Sequence, residues 1–452
     1  MPPKTSRLPE DQNKKKKLQA YSQVKMLWRL LFFAGIAALP CACGAFAFSL
    51  LKATPLKNGQ DFTHLPHSPN SINSVLPSTL DRPINLLILG IDNSGHPHSS
   101  NFMRPQALAG NSDTMLLVRL IPDTHQINIL SIPRDTRVLL PGYGMDKIND
   151  ANVRGGVNLA AQTVSHLLAG IPIDHYIRLD TEGFIQLVDA LGGVEVTVPK
   201  RMVYVDHTQN LKINLAAGRQ NLNGQHLQEY VRFRDDALGD IGRVQRQQEV
   251  LKALLQTFWQ PSTVGHLSQL LRVVQDNVDT DMSVGQMLGI TQFLAHLDRQ
   301  HMNLLMLPGR FSRKNEYNLS YWIEYPRAAA PILARYFDAR TDSVNAITSS
   351  TSNVGQIRLA VANATGRAGE AAKTVAFLRK QGFYNTYITH HEIDSATVPL
   401  FQTQIIAQQG NNEAANAVRS ALGLGQVQVA STGDIGSDVT VVVGTDLAAL
   451  AK

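Results

Sequence analysis

Residues 84–92 read INLLILGID, and the fold depends on what that run is. An apolar run of this length closed by Gly90 and Asp92 suits a strand covered on both faces, as in a parallel sheet; a strand with one wet face would alternate. TMLLVRL (114–120) and INILSIP (127–133) read as two more strands. Within 155–170, Leu159, Val164, Leu167 and Leu168 recur at helical spacing, and 181–199 (TEGFIQLVDALGGVEVTVP) offers a helix, a Gly-Gly stop and a strand. VGQMLGITQFLAHL adds a helix and MNLLMLPG a strand. Strands alternating with helices predict an α/β layered domain over 82–335. A Ser/Thr/Asn-rich stretch, 336–355, then reads as a linker. Residues 356–446 follow a β-α-β-β-α-β pattern, a second and smaller domain.

The charge is uneven. Residues 1–29 carry eight basic and two acidic side chains, which accounts for the whole net charge of +6; the rest of the chain balances. A net-neutral body lacks the basic face of a nucleic-acid binder, so the expectation is no nucleic-acid partner. From Leu30 to Leu51 there are 22 residues without a charge. As a helix they span about 33 Å, enough for a bilayer core. The basic residues before them place 1–29 in the cytoplasm and the rest outside: a single-pass protein of the cell membrane, tethered by a Pro/Ser/Asn-rich linker at 52–81. The alternative is a cleaved signal peptide with Ala45–Ala47 as the processing site. Both cysteines, Cys41 and Cys43, lie in this segment, so the outer part has neither a disulfide framework nor a thiolate metal site.

The chemistry concentrates in LQEYVRFRDDALGDIGRVQRQQ (227–248). EYVRFR alternates with period two, which predicts a strand with Tyr230, Arg232 and Arg234 on one face. A helix with Leu251, Leu254, Leu255 and Phe258 buried follows a turn, and Arg243 and Arg246 fall near its start, where the helix dipole disfavours cations. Such an arrangement suits an anion shared by the arginines and the helix N-terminus; the alternative is a solvated cluster neutralised by Asp235, Asp236 and Asp240. SIPRDT puts Arg134 and Asp135 at a strand end, where open α/β sheets bind ligands. Asp92 closes the first strand and Asp113 opens the second; two carboxylates plus phosphate oxygens suit Mg²⁺. Lys147 and Asn149, in DKIND, are candidate phosphate ligands. Together these residues suit phosphoryl transfer.

The ordered set LLILGID, SDTMLLVRL, ILSIPRDT, DKIN, HYIRLD, FIQLVDALGGVEVTVP and GDIGRVQRQQ resembles the LytR-CpsA-Psr family, and residues 356–446, with AVANATGRAGEAAKTVAFLRKQGF near their start, are similar to the LytR-type C-terminal domain often attached to it. The resemblance implies a layered domain with a central mixed sheet flanked by helices. It also implies a membrane-anchored phosphotransferase that moves a glycopolymer from a polyprenyl-pyrophosphate carrier onto a peptidoglycan hydroxyl, usually with Mg²⁺. By motif, Asp92 and Asp113 would hold the metal, and Arg134, Arg232, Arg234 and Arg243 the pyrophosphate. Asp240 or Asp135 would orient partners or take the acceptor proton, with Lys147, Asn149, Arg246 and Gln247 as further substrate ligands. Helices 156–169 and 181–191 would flank a pocket for the polyprenyl tail. Asn111 stands where the family commonly has arginine, which removes one guanidinium; Arg104 is a candidate substitute. A non-catalytic glycolipid carrier is the alternative reading, and a transcriptional regulator a third.

Overall fold

The computed structural model describes residues 80–92, 108–206, 211–233, 240–258, 260, 263, 266–297, 301–313, 315–339, 354–389, 399–408, 410–434 and 436–450. The anchor at 30–51, the tail before it, the 52–81 tether except its last two residues, and Arg104 lie outside them. No helix among the described residues is long and apolar enough to cross a membrane.

The first domain is built on β1 (Ile84–Asp92), β2 (Asn111–Ile121) and β3 (Gln126–Ser131). After the β4–β5 hairpin (Arg137–Leu140, Gly144–Lys147) comes α1 (Asp150–Leu167), interrupted at Gly155 and Gly156, where Gly156 takes a φ of +63°. Next come β6 (His175–Asp180), α2 (Thr181–Ala190) and the strands β7 (Val194–Val198), β8 (Met202–Asp206), β9 (Leu211–Leu215) and β10 (Gly218–Leu222). Helices α3 (Gly224–Arg232), α4 (Asp240–Phe258) and α5 (Leu267–Asn277) precede β11 (Val278–Thr280), α6 (Val284–Ala295) and β12 (Met302–Met306). The hairpin β13–β14 (Gly309–Phe311, Trp322–Glu324) and α7 (Pro326–Phe337) close the domain.

The central sheet is mixed, in the order β11-β6-β1-β2-β3-β12. β1 runs parallel to β6 and antiparallel to β2. Its pleat sends successive side chains to opposite faces. Leu87, Leu89 and Ile91 join the core under α1 and α7, whereas Ile84, Leu86 and Ile88 face a second core with Phe293 and Leu297. Both faces are therefore covered, as the unbroken apolar run requires.

Two expectations fail. EYVRFR is not a strand: Glu229–Arg232 ends α3, capped at Asn223, whose side chain accepts from His226 N at 2.9 Å. Leu227 and Tyr230, one helical turn apart, are its buried contacts. Gly224 lets this helix touch α2, because a Cβ there would sit 2.2 Å from the Ile185 carbonyl oxygen. The packing of that apolar face outweighs a six-residue alternation.

The second domain has one strand more than expected: β15 (Leu359–Asn363), α8 (Glu370–Lys380), β16 (Thr386–Ile388), β17 (Gln404–Ala407), α9 (Asn412–Leu422), β18 (Gln426–Val429), β19 (Val439–Val443) and a closing helix α10 (Thr445–Leu450). Its sheet order is β16-β15-β19-β17-β18. It also packs directly on the first domain. Ala364, Ile406, Ala430 and Val442 belong to the same core as Leu86 and Val118, and the Tyr336 hydroxyl donates to Gly410 O at 3.0 Å.

Candidate active site

A cavity of about 350 Å³ opens at the carboxyl end of β1, between the sheet and helices α2, α3 and α4. Its size lies within the usual range of small-molecule pockets, about 300–1,000 Å³. Asp92, Asp113, Arg134, Arg232 and Arg243 line it beside Gln247, and apolar side chains line the rest, including Phe184, Leu187, Tyr204 and Leu254.

Local structure places each charged group. Between Gly90 and Ile91 the β1–β2 register slips: Gly90 pairs with Thr114 and Ile91 with Ser112, leaving Asp113 as the extra residue of a bulge. A bulge re-aims its side chain, here onto the cavity. After β3 the chain turns at Pro133, whose carbonyl accepts from Thr136 N at 3.0 Å, and this turn presents Arg134 and Asp135. Arg134 Nη1 lies 2.6 Å from Asp113 Oδ2, and Arg134 Nε 3.5 Å from Asp135 Oδ2. Arg232, on the last turn of α3, reaches within 3.9 Å of Asp92. Arg243 is buried in the first turn of α4, and on that helix Arg243, Gln247, Leu251 and Leu254 follow one another at helical spacing along the cavity.

Asp135 is held by Lys147 Nζ at 2.7 Å. Burial alone would push its carboxyl up, but the Lys147 hydrogen bond and the charges of Arg134, Lys147 and Arg243 outweigh it, and the net shift is downward. A carboxylate so held stays ionised at neutral pH and is a poor proton acceptor. It pairs with Arg134 and Lys147 and does not line the cavity.

Other expected ligands are placed elsewhere. Lys147 is engaged with Asp135 and does not line the cavity. Asn149 is buried as a brace: its N–H donates to Arg134 O at 3.2 Å and its carbonyl accepts from Ser112 N at 3.3 Å. Arg246 turns away from the cavity to donate to the Phe233 carbonyl, its guanidinium 5.5 Å from that ring. Helix α1 contributes nothing to the wall, because Leu159 and Val164 are consumed by the core; α2, by contrast, supplies Thr181, Phe184 and Leu187. Arg234 and the side chain of Asp240 lie outside the described residues. Asn111 donates to Asp150 Oδ1 at 3.3 Å, and Arg154 binds that same carboxylate at 2.8 Å.

The sequence reading missed Asp180, Tyr204, Leu211, Gln228 and Gln248, all in the wall. Asp180 ends β6 and caps α2 by accepting from Gly183 N at 2.8 Å; the strand-end rule that picked out Asp92 applies to it equally. Tyr204 and Leu211 had no such signal.

Three arginines face three aspartates across the wall (Arg134, Arg232, Arg243; Asp92, Asp113, Asp180), so it is close to neutral. Among the described residues no three His, Cys, Asp or Glu side chains converge on a metal site. Asp92 and Asp113 lie in the same wall, which matches in number the one or two carboxylates that Mg²⁺ takes when phosphate oxygens complete its shell.

The sequence model of the LytR-CpsA-Psr family matches residues 56–332, and one described as LytR cell envelope-related transcriptional attenuator matches 356–447. The polyisoprenyl-teichoic acid–peptidoglycan teichoic acid transferase TagU of Oceanobacillus iheyensis is 34% identical over 211 residues, 45% of this chain and 60% of that one. TagV of Bacillus subtilis, a transferase of the same name, is 30% identical over 233 residues, 50% of this chain and 57% of that one. The chain thus spans about three fifths of the length of these relatives. A Streptococcus agalactiae crystal structure superposes with a TM-score of 0.50 at 26% identity, covering 58% of this chain and 90% of that one.

Proposed function

The chain belongs to the LytR-CpsA-Psr family, and from that premise we propose that it is a membrane-anchored phosphotransferase of the cell envelope. Its donor is a glycopolymer on a polyprenyl-pyrophosphate carrier and its acceptor a peptidoglycan hydroxyl. The observation that carries the reading is one cavity whose wall combines a set of three arginines with a run of apolar side chains. A pyrophosphate fits the first and the start of a prenyl chain the second. The transferase names of TagU and TagV support the same chemistry.

The acceptor hydroxyl oxygen attacks the phosphorus that bears the glycan, the bridging P–O bond breaks, and polyprenyl monophosphate leaves, the hydroxyl proton passing to that leaving phosphate or to solvent. Arg134, Arg232 and Arg243 bind the phosphate oxygens and offset the charge that grows on the bridging oxygen. Asp135 keeps Arg134 and Lys147 in place. Bound Mg²⁺, on Asp92 and Asp113, would supply positive charge to the phosphates. A near-neutral wall that receives two phosphate charges needs about one divalent cation to restore balance.

The test uses the full chain in detergent with a polyprenyl-pyrophosphate-linked saccharide and peptidoglycan, following release of polyprenyl monophosphate with and without Mg²⁺. Metal-dependent release that Arg134→Ala and Arg232→Ala each lower by about a hundredfold or more is expected. Tight lipid binding with no turnover across several acceptors would refute the transferase in favour of a carrier.

A further inference from the structure

Helix α4 serves two neighbours. One side carries Arg243, Gln247 and Leu254 to the cavity. The other meets the C-terminal domain: Gln245 Nε2 donates to Gly433 O at 3.3 Å, and the Ser431 hydroxyl donates to Gln248 Oε1 at 2.9 Å. All these polar contacts are buried, with Gln248 2% and Ser431 1% exposed. Gln248 also lines the cavity. Leu251 and Leu255, on the same helix, pack against the core that contains Ala430, Ile406 and Val442.

The segment 431–434 is itself held firmly by its own domain. Gly433 N donates to Gln408 Oε1 at 2.9 Å, Asp434 N to Thr440 Oγ1 at 2.9 Å, and the Asp434 carboxylate accepts from Tyr387 at 3.0 Å and Thr389 at 2.6 Å. A buried amide among apolar neighbours must find a partner, and Gln248 finds one in the other domain. We propose that the C-terminal domain is a positioning element of the reaction site, with Ser431 holding Gln248 and so fixing the helix that presents Arg243 and Gln247. Ser431 is a positioning residue, since it acts through Gln248. The catalytic half of this inference rests on the transferase reading; the mechanical half does not.

The test compares full-length wild type, Ser431→Ala and Ser431→Thr by two measurements. Amide hydrogen exchange over residues 243–251 needs no substrate and reports whether the clamp holds the helix. Turnover of the polyprenyl-pyrophosphate-linked saccharide reports whether that matters. In Ser431→Ala, exchange across 243–251 rises and kcat falls about threefold to tenfold, the range that one neutral hydrogen bond supports, with KM little changed. Ser431→Thr, which keeps the hydroxyl, restores both. Unchanged exchange, or faster exchange with turnover untouched, overturns the proposal. So does a loss of turnover that only tracks a lower Tm and that Ser431→Thr does not rescue. If the wild type itself shows no turnover, the transferase reading fails, and affinity for polyprenyl monophosphate replaces kcat as the second readout.

Discussion

Arg134→Ala is the sharpest perturbation of the proposed site. The truncation removes one charge-assisted contact to the pyrophosphate, about 1.5–3 kcal/mol. It also strips Asp113 of the cation 2.6 Å away, leaving a carboxylate beside an incoming anion. Two like charges about 4 Å apart at an effective dielectric near 20 repel by about 4 kcal/mol. Asp113 is 29% exposed, so water and salt reduce that to about a third. The total is about 3–4 kcal/mol, a fall of roughly two to three powers of ten in kcat/KM. The partly exposed ion pair itself contributes about 1 kcal/mol, so Tm should fall by no more than about 4 °C. The assay is initial-rate release of polyprenyl monophosphate alongside a thermal melt. A kcat/KM within tenfold of wild type at unchanged Tm would refute the placement of this guanidinium on the reacting phosphates. Adding Asp113→Asn separates two roles for that carboxylate. Partial recovery means Asp113 only balanced Arg134, whereas a further loss with a weaker Mg²⁺ response means that it holds the metal.

Three more outcomes are expected. Gly224→Ala drives a Cβ to 2.2 Å from Ile185 O, so α2 and α3 must separate, and a loss of about 2–3 kcal/mol should show in chemical denaturation. Desolvation raises the Glu324 carboxyl to about 7, so the stability of its neutral form is full below about 4.5 and is lost as pH rises through 7. Wild type should therefore melt lower at pH 8 than at pH 5, with Glu324→Gln flattening that difference in a pH series of melts. For the proposed topology, protease added to intact spheroplasts should cleave a C-terminal tag and spare an N-terminal one; the reverse pattern would overturn the orientation.

The elements legible in the sequence are those whose signals are local. The run 84–92 announces a strand covered on both sides, and the Gly192-Gly193 pair, at φ +82° and +91°, separates α2 from β7 as a stop signal should. The strand ends also pointed to Asp92 and Arg134, which line the cavity. What was not legible depends on partners distant in sequence. EYVRFR alternates locally, yet Gly224 against Ile185 and the Asn223 cap make it the end of a helix. The bulge that frees Asp113 comes from how β1 and β2 pair, which neither strand encodes alone. Arg246 reads like Arg243 in sequence, but three positions along a helix rotate it from the cavity to the Phe233 carbonyl.

The pleat of β1 also explains why the two domains should not be regarded as beads on a tether. If the second domain were only joined by the chain after α7, the core that holds Leu86 and Val118 would lose Ala364, Ile406, Ala430 and Val442. Burying each such side chain stabilises by about 1.5–3 kcal/mol, so the first domain gains directly from the partner that supplies Ile406, Ala430 and Val442. The strand that needs this cover is also the one whose end carries Asp92 into the cavity, and the helix beside that cover carries Arg243. On the inference drawn above, loosening the second domain would relax the β1 end and α4, both of which line the cavity, through packing rather than through any contact with substrate. On the transferase reading proposed above, that coupling would tie the small domain to the chemistry through packing alone.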